Sequence, residues 1–278
     1  MNENNKHKPN IRWHGAFATT IAYELADYAS QLSMETERQL SKEALRIDVL
    51  VIKKDKDVMI EKNIGKIFKE HNIIEYKSPT DYLSVHDYNK VKGYAYLYSA
   101  FEGIELSQIT VSFLIPEITP SLRTYLTNSQ DFAITNVDDG LNYIDDKSFS
   151  VQIIEQKKLS ADKNLFFSSL TNQPTIKNWD TLLKEMVNQG KPLKNNPLLE
   201  VLAQANPDDF MEVISMQTGS RYEEVMRELG ERVGLGDVNA AITNKAKEIA
   251  KKMLNIGEDL EKIALLTDLD IETVKALR

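Results

Sequence analysis

His71-Asn-Ile-Ile-Glu-Tyr-Lys-Ser-Pro79 is the stretch that decides how the first half of this 278-residue chain folds. Its apolar centre predicts a strand over Ile73 to Lys77, which Ser78-Pro79 ends. Side chains two apart in a strand lie on the same face, so Glu75 and Lys77 are expected side by side. An unpartnered carboxylate in such a strand would cost several kcal/mol to bury, so a cation or hydrogen-bond donors must lie near Glu75.

The segments before this strand carry two more carboxylates in apolar surroundings. Leu45 to Ile52 is dense in β-branched residues and predicts a strand that contains Asp48. Leu32 to Leu40 alternates and predicts the strand before it. On the predicted first helix, Phe17 to Tyr28, Glu24 lies on the otherwise apolar face and is expected to point inward.

The segments after Pro79 complete an α/β pattern. Ser84 to Tyr98 has apolar residues at helical spacing, and Ile109 to Ile115 is an apolar strand. A short helical pattern is expected at residues 63–70, and shorter strands near residues 132–137, 141–144 and 149–154. We therefore predict a mixed α/β domain over residues 1–159 and a mainly helical region over residues 160–278.

Composition excludes several classes of protein. The chain has no cysteine, which rules out disulfides, zinc-thiolate sites and a thiolate nucleophile. The net charge of −8 argues against coating nucleic acid by bulk electrostatics, although the segment from Lys42 to Lys92 is mildly basic. Neither a long apolar run nor a Walker-type loop occurs, so we expect a cytoplasmic protein without membrane contact or nucleotide cofactor.

The candidate residues suit phosphodiester hydrolysis. Two strand carboxylates, Asp48 and Glu75, can bind a hard cation such as Mg²⁺ or Mn²⁺ and leave coordination sites for water and a phosphate oxygen. Lys77 could orient that water or offset negative charge in the transition state. Such a site needs neither cysteine nor histidine.

The order Asp48…Glu75-Tyr76-Lys77, followed by a helix, resembles the signature of the PD-(D/E)XK nuclease superfamily. The surrounding phrases are similar to its branch of recombination-promoting nucleases and transposases, over about residues 11–160. They are Leu45-Arg-Ile-Asp-Val-Leu-Val-Ile-Lys-Lys, Lys62-Asn-Ile-Gly-Lys-Ile-Phe, His71-Asn-Ile-Ile-Glu-Tyr-Lys-Ser-Pro, Asp81-Tyr-Leu-Ser and Lys90-Val-Lys-Gly-Tyr-Ala. Ile47 departs from the usual proline before the aspartate.

The resemblance implies a restriction-endonuclease-like mixed sheet flanked by helices, one or two divalent ions, and DNA as substrate. It implies Asp48, Glu75 and the backbone carbonyl of Tyr76 as metal ligands and Lys77 as the catalytic lysine. Glu24 corresponds to a further acidic residue that could join the metal site. Lys66, Lys90 and Tyr94 are candidates for contact with DNA.

Three alternatives stay open. The residues Asp48, Glu75 and Lys77 could form only a buried ion pair within an inert nuclease-fold module for nucleic-acid or protein interaction. The tail at residues 258–278 resembles a helix-turn-helix, yet its second helix opens with Asp270 and Glu272, so DNA contact competes with packing or homo-oligomer formation. The transposase likeness would add strand transfer to hydrolysis, and no residue distinguishes the two.

Overall fold

The computed structural model describes residues 13–35, 49–128, 132–171, 176–216, 222–235 and 238–278. The chain divides into two compact units, Met1–Asn172 and Gln173–Arg278. The division falls later than the expected boundary after residue 159, because a short helix at Leu165–Ser169 packs on the first helix of the first unit. Across the described ranges, no helix is long and apolar enough to cross a membrane.

The described part of the first unit is a seven-stranded mixed sheet with flanking helices, which confirms the expected α/β class. The elements in chain order are α1 (Trp13–Glu24), β1 (Leu32–Glu35), β2 (Val49–Lys54), β3 (His71–Tyr76), α2 (Val85–Glu102), β4 (Ile109–Ile115), α3 (Pro120–Asn128), β5 (Ile134–Asp138), β6 (Leu141–Asp145), β7 (Ser150–Glu155) and α4 (Leu165–Ser169). The strand order is β1-β2-β3-β4-β7-β6-β5. The neighbours β3, β4 and β7 run parallel, and the other pairs are antiparallel.

The centre of the sheet is β4, whose seven residues are all buried. A strand covered on both faces reads as a continuous apolar run, which is why Ile109 to Ile115 was recognisable from the sequence. Helix α2 covers one face with Tyr88, Val91, Ala95 and Tyr98. This packing holds the first turn of α2 beside the carboxyl ends of the parallel strands.

Strand β3 divides its side chains between the two faces of the sheet. Ile73 belongs to the core under α2, and Glu75 shares its face. Tyr76 points to the opposite face, where the Phe17 ring of α1 stacks on it at 4.8 Å. Helices α1 and α2 therefore cover opposite faces of β3.

Three local expectations differ from the structure. The first helix begins at Trp13 and ends at Glu24, and a 3₁₀ turn at Ala26–Gln31 follows it. The helix expected at residues 63–70 is only a 3₁₀ turn at Asn63–Gly65. The Ile60 side chain packs so closely on this turn that a Cβ on Gly65 would lie 2.5 Å from it. Helix α3 was not predicted from the pattern, whereas α4 lies in the region predicted to be helical, although it was not predicted individually.

The described part of the second unit consists of seven helices, as the helical pattern predicted. They are α5 (Ile176–Asn188), α6 (Pro197–Ala205), α7 (Pro207–Met216), α8 (Glu223–Arg232), α9 (Val238–Asn255), α10 (Leu260–Thr267) and α11 (Ile271–Ala276). In the tail, Ile263 of α10 and Val274 of α11 share a small core with Ala250 of α9. Asp270 caps α11, accepting hydrogen bonds from the Thr273 amide at 2.7 Å and its hydroxyl at 2.6 Å.

Candidate active site

Glu75 and Lys77 meet at the carboxyl end of β3, as their spacing predicts. Glu75 is buried, with 8% of its surface exposed, and its Oε1 lies 3.4 Å from Nζ of Lys77. The Lys77 amide donates a hydrogen bond to the Leu114 carbonyl at 2.9 Å, so the ladder with β4 continues one residue beyond β3. That bond keeps both side chains on the α2 face of the sheet.

The first turn of α2 adds a second carboxylate to this pair. Ser84 and Asp87 form a capping box: the Asp87 amide donates to the Ser84 hydroxyl at 3.0 Å, and the Ser84 amide donates to Asp87 Oδ2 at 3.4 Å. The Ser84 hydroxyl also donates to Asp87 Oδ2 at 2.7 Å. Asp87 Oδ2 lies 3.6 Å from Nζ of Lys77, and its Oδ1 lies 3.3 Å from Nζ of Lys90. Asp81, more than half exposed, is 3.8 Å from Lys77.

Glu75 and Asp87, two carboxylates of this cluster, titrate differently. Burial raises the pKa of Glu75 to about 7, and the nearby charges of Lys77 and Lys90 offset only part of that shift. Burial acts in the same direction on Asp87, but the Ser84 hydrogen bond and the two lysines outweigh it and lower its pKa to about 2. At neutral pH, Asp87 is therefore ionised, whereas Glu75 is divided between its two forms.

The raised pKa of Glu75 predicts a pH-dependent stability in metal-free buffer. The folded state holds the Glu75 proton more tightly than the unfolded state does. The contribution of this proton to the free energy of unfolding is therefore complete below pH 4.5 and is lost as the pH rises through about 7. We expect Glu75→Gln to be more stable than wild type at pH 8, by on the order of 2 kcal/mol, with little difference at pH 4.5. Urea denaturation at both pH values in EDTA measures this, and equal midpoint shifts at both would contradict it.

Glu24 is inward-pointing, as predicted, but it lies in another polar cluster. Its Oε2 is 2.6 Å from Nζ of Lys62, and its Oε1 accepts a hydrogen bond from the Phe167 amide at 3.1 Å. Phe167 belongs to α4, which packs on α1. Within the described ranges, Glu24 and Glu75 share no ion-pair or hydrogen-bond partner, because α1 covers the opposite face of β3.

The remaining predicted residues have separate placements. Asp48 lies outside the described residues, and β2 as described begins at Val49, whose Cα pairs with that of Glu75. The Tyr76 backbone pairs with Leu114, and its buried hydroxyl has no hydrogen-bond partner among the described residues. Lys66 is exposed, and Tyr94 is partly buried against the core under α2.

Carboxylate oxygen is the donor type at this site that a divalent cation can bind. Among the described residues, no group of three or more histidine, aspartate or glutamate side chains is arranged to hold a metal ion. Glu75, however, offers oxygen to a hard cation, and its raised pKa shows that Lys77 does not fully compensate its buried charge. Added positive charge beside Glu75 would restore its ionised form.

Asp87 is the residue of the cluster that was missed in the sequence. The spacing of Ser84 and Asp87, just before the apolar face of α2, is that of a capping box, in which aspartate can stand for the usual glutamate. That pattern could have placed Asp87 at the first turn of α2. Its distance from Lys77 depends on how α2 packs on the sheet, which no local pattern contains.

No family model, curated protein or solved structure matches this chain.

Proposed function

We propose that the first unit is a divalent-metal-dependent DNA endonuclease that hydrolyses phosphodiester bonds. The observation that carries the proposal is the pairing of buried Glu75 with Lys77 at the carboxyl end of β3, next to a parallel strand and the first turn of α2. Ligands of open α/β sheets bind beyond the carboxyl ends of the strands. A likeness to PD-(D/E)XK nucleases leads to the same residues.

The roles proposed for Glu75 and Lys77 are supported by their positions, and those of Asp48 and the Tyr76 carbonyl by the resemblance. Glu75, with Asp48 and the Tyr76 carbonyl as further predicted ligands, would hold Mg²⁺ or Mn²⁺, which supplies Lewis-acid chemistry when bound. Lys77 would orient the attacking water or offset charge on the phosphate. Glu24 is left out of the site because both of its oxygens already have donors.

Lys90 provides the link from this site to the substrate. Asp87, in the first turn of α2, pairs with the Lys90 ammonium, yet 40% of the Lys90 side chain remains exposed. An exposed lysine at this position can contact a phosphate next to the one being cleaved. Lys66 and Tyr94 remain predicted DNA contacts.

A second candidate function is an inert nuclease-fold module that binds nucleic acid or protein without turnover. The observation that favours it is the convergence of Glu75, Asp81 and Asp87 on Lys77, at 3.4 to 3.8 Å from its ammonium. Such a network neutralises Lys77 without any metal. Under this alternative, the cluster would only stabilise the junction between β3 and α2.

Supercoiled plasmid distinguishes the two candidates. We expect wild-type protein to nick or linearise the plasmid in Mg²⁺ and to leave it intact in EDTA, with cleavage lost in Asp48→Ala. A trace rate that is equal in wild type and Asp48→Ala would indicate a contaminating nuclease and would contradict the proposal. Calorimetric titration with Mn²⁺ adds a readout without DNA, since binding that disappears in Glu75→Ala argues against the inert module.

A further inference from the structure

Asp87 makes more contacts with the charged cluster than a helix cap requires. A capping box needs only its bonds with Ser84, whereas the Asp87 carboxylate also approaches Lys77 and Lys90 with different oxygens. Lys77 is the better enclosed of the two lysines, with 12% of its side chain exposed against 40% for Lys90. An ion pair enclosed in this way restrains its lysine more than an exposed pair does.

The cap also fixes the Asp87 carboxylate itself. The Ser84 hydroxyl and amide both donate to Oδ2, at 2.7 and 3.4 Å, so the carboxylate cannot rotate away from Lys77 without losing both of these hydrogen bonds. Asp81 is less restrained, because its side chain is 53% exposed and the Tyr82 amide, at 2.8 Å, donates to its other oxygen, Oδ1. The low pKa of Asp87 keeps its charge present at all physiological pH values.

We infer that Asp87 is a positioning residue that holds the Lys77 ammonium beside Glu75 and so couples the N-terminus of α2 to the catalytic lysine. This inference rests on the proposed function for its catalytic meaning. Without Asp87, Lys77 retains Glu75 and the exposed Asp81 as partners. Its ammonium can then move along the sheet edge between them and occupies more than one position.

Asp87→Asn separates this role from capping. The amide oxygen can still accept the Ser84 hydrogen bonds, so the helix cap is retained while the negative charge beside the Lys77 ammonium is removed. We expect kcat for plasmid cleavage to fall about tenfold, with KM changed less than about twofold. Asp87→Glu keeps the charge and should recover most of the loss.

Two control variants isolate the effect. Ser84→Ala removes the cap hydroxyl and leaves the carboxylate, so a purely capping role predicts a lower kcat in Ser84→Ala and a wild-type kcat in Asp87→Asn. Asp57→Asn removes one exposed negative charge beyond the end of β2 farthest from Glu75, and it should leave kcat unchanged. Equal kcat in Asp87→Asn and wild type would overturn the inference.

A readout without DNA keeps this test independent of the proposed function. The Lys77 ammonium resonance in ¹H–¹⁵N spectra, assigned by its loss in Lys77→Arg, should be narrow in wild type and broadened in Asp87→Asn but not in Asp57→Asn. An unchanged resonance would show that Asp87 does not hold Lys77. If wild type cleaves no DNA, the proposed function fails, while this resonance still decides whether Asp87 positions the lysine.

Discussion

Glu75→Gln should lower Mg²⁺-dependent plasmid cleavage by about 10²–10³-fold. Glutamine has the shape of the native side chain but lacks the negative charge that would hold the cation and pair with Lys77 at 3.4 Å. Single-turnover cleavage of supercoiled plasmid, with enzyme in excess, measures the rate without interference from product release. Lys77→Met is the companion variant, and we expect a loss of the same order because the two side chains would act on one phosphate.

The stability of the same variant makes the result interpretable. Glu75→Gln should be more stable than wild type at pH 8, because burial holds the native carboxyl near a pKa of about 7. A variant that gains stability and loses activity is the expected signature of a functional site, where an unfavourable charge is kept for its chemistry. Loss of cleavage can then not be attributed to unfolding. Retention of at least half of the wild-type rate would contradict a role for Glu75.

The elements that were predictable from the sequence have strong local patterns. The apolar run Ile109–Ile115 and the helical face of α2 were both anticipated, and the capping box explains why α2 begins after Ser84. Helix α3 was missed because it has only 9 residues and contributes only Leu122 and Leu126 as fully buried residues. A helix with so few core positions leaves a weak periodic signal.

The order of the strands was beyond any local pattern. Strand β7 pairs with β4 in parallel, and the hairpin of β5 and β6 continues the sheet on the far side of β7. Alternation within a strand reports which faces are buried but contains no information about its neighbours. The predicted strand boundaries therefore lie close to the observed ones, because they depend on local alternation. The order of the seven strands depends on contacts between distant segments and could be learned only from the structure.

The candidate site was predictable to the same limited extent. Neighbours along β3 were correctly brought together, because Glu75 and Lys77 are separated by a fixed strand period. Partners from distant elements were not: the donors to Glu24 come from Lys62 and from Phe167, and Asp87 arrives from α2. An apolar helix face shows that a carboxylate points inward but does not identify the group that meets it.

Lys62→Met should destabilise the first unit by about 3 kcal/mol, because it leaves the Glu24 carboxylate buried without its ammonium. Only 2% of the Glu24 side chain is exposed, and the Phe167 amide would be its one remaining hydrogen-bond donor in the part of the chain described. Lys62 also donates to the Lys163 carbonyl, so the substitution removes a tie between the β2–β3 connection and the segment before α4. Exposed Lys66→Met is the matched control and should shift stability by less than about 0.5 kcal/mol.

A double-mutant cycle decides between the structural and the metal-binding roles of Glu24. In the double variant Glu24→Gln, Lys62→Met, the neutral amide still accepts from Phe167 and needs no cation, so most of the lost stability should return. Urea unfolding in a Trp179→Phe background leaves Trp13, on α1, as the single tryptophan and thus reports on the first unit. Glu24→Gln should retain plasmid cleavage per folded molecule. The opposite outcome is that Glu24→Gln loses cleavage as completely as Glu75→Gln while keeping its stability. Glu24 would then belong to the metal site, and the bound cation would replace Lys62 as the partner of Glu24.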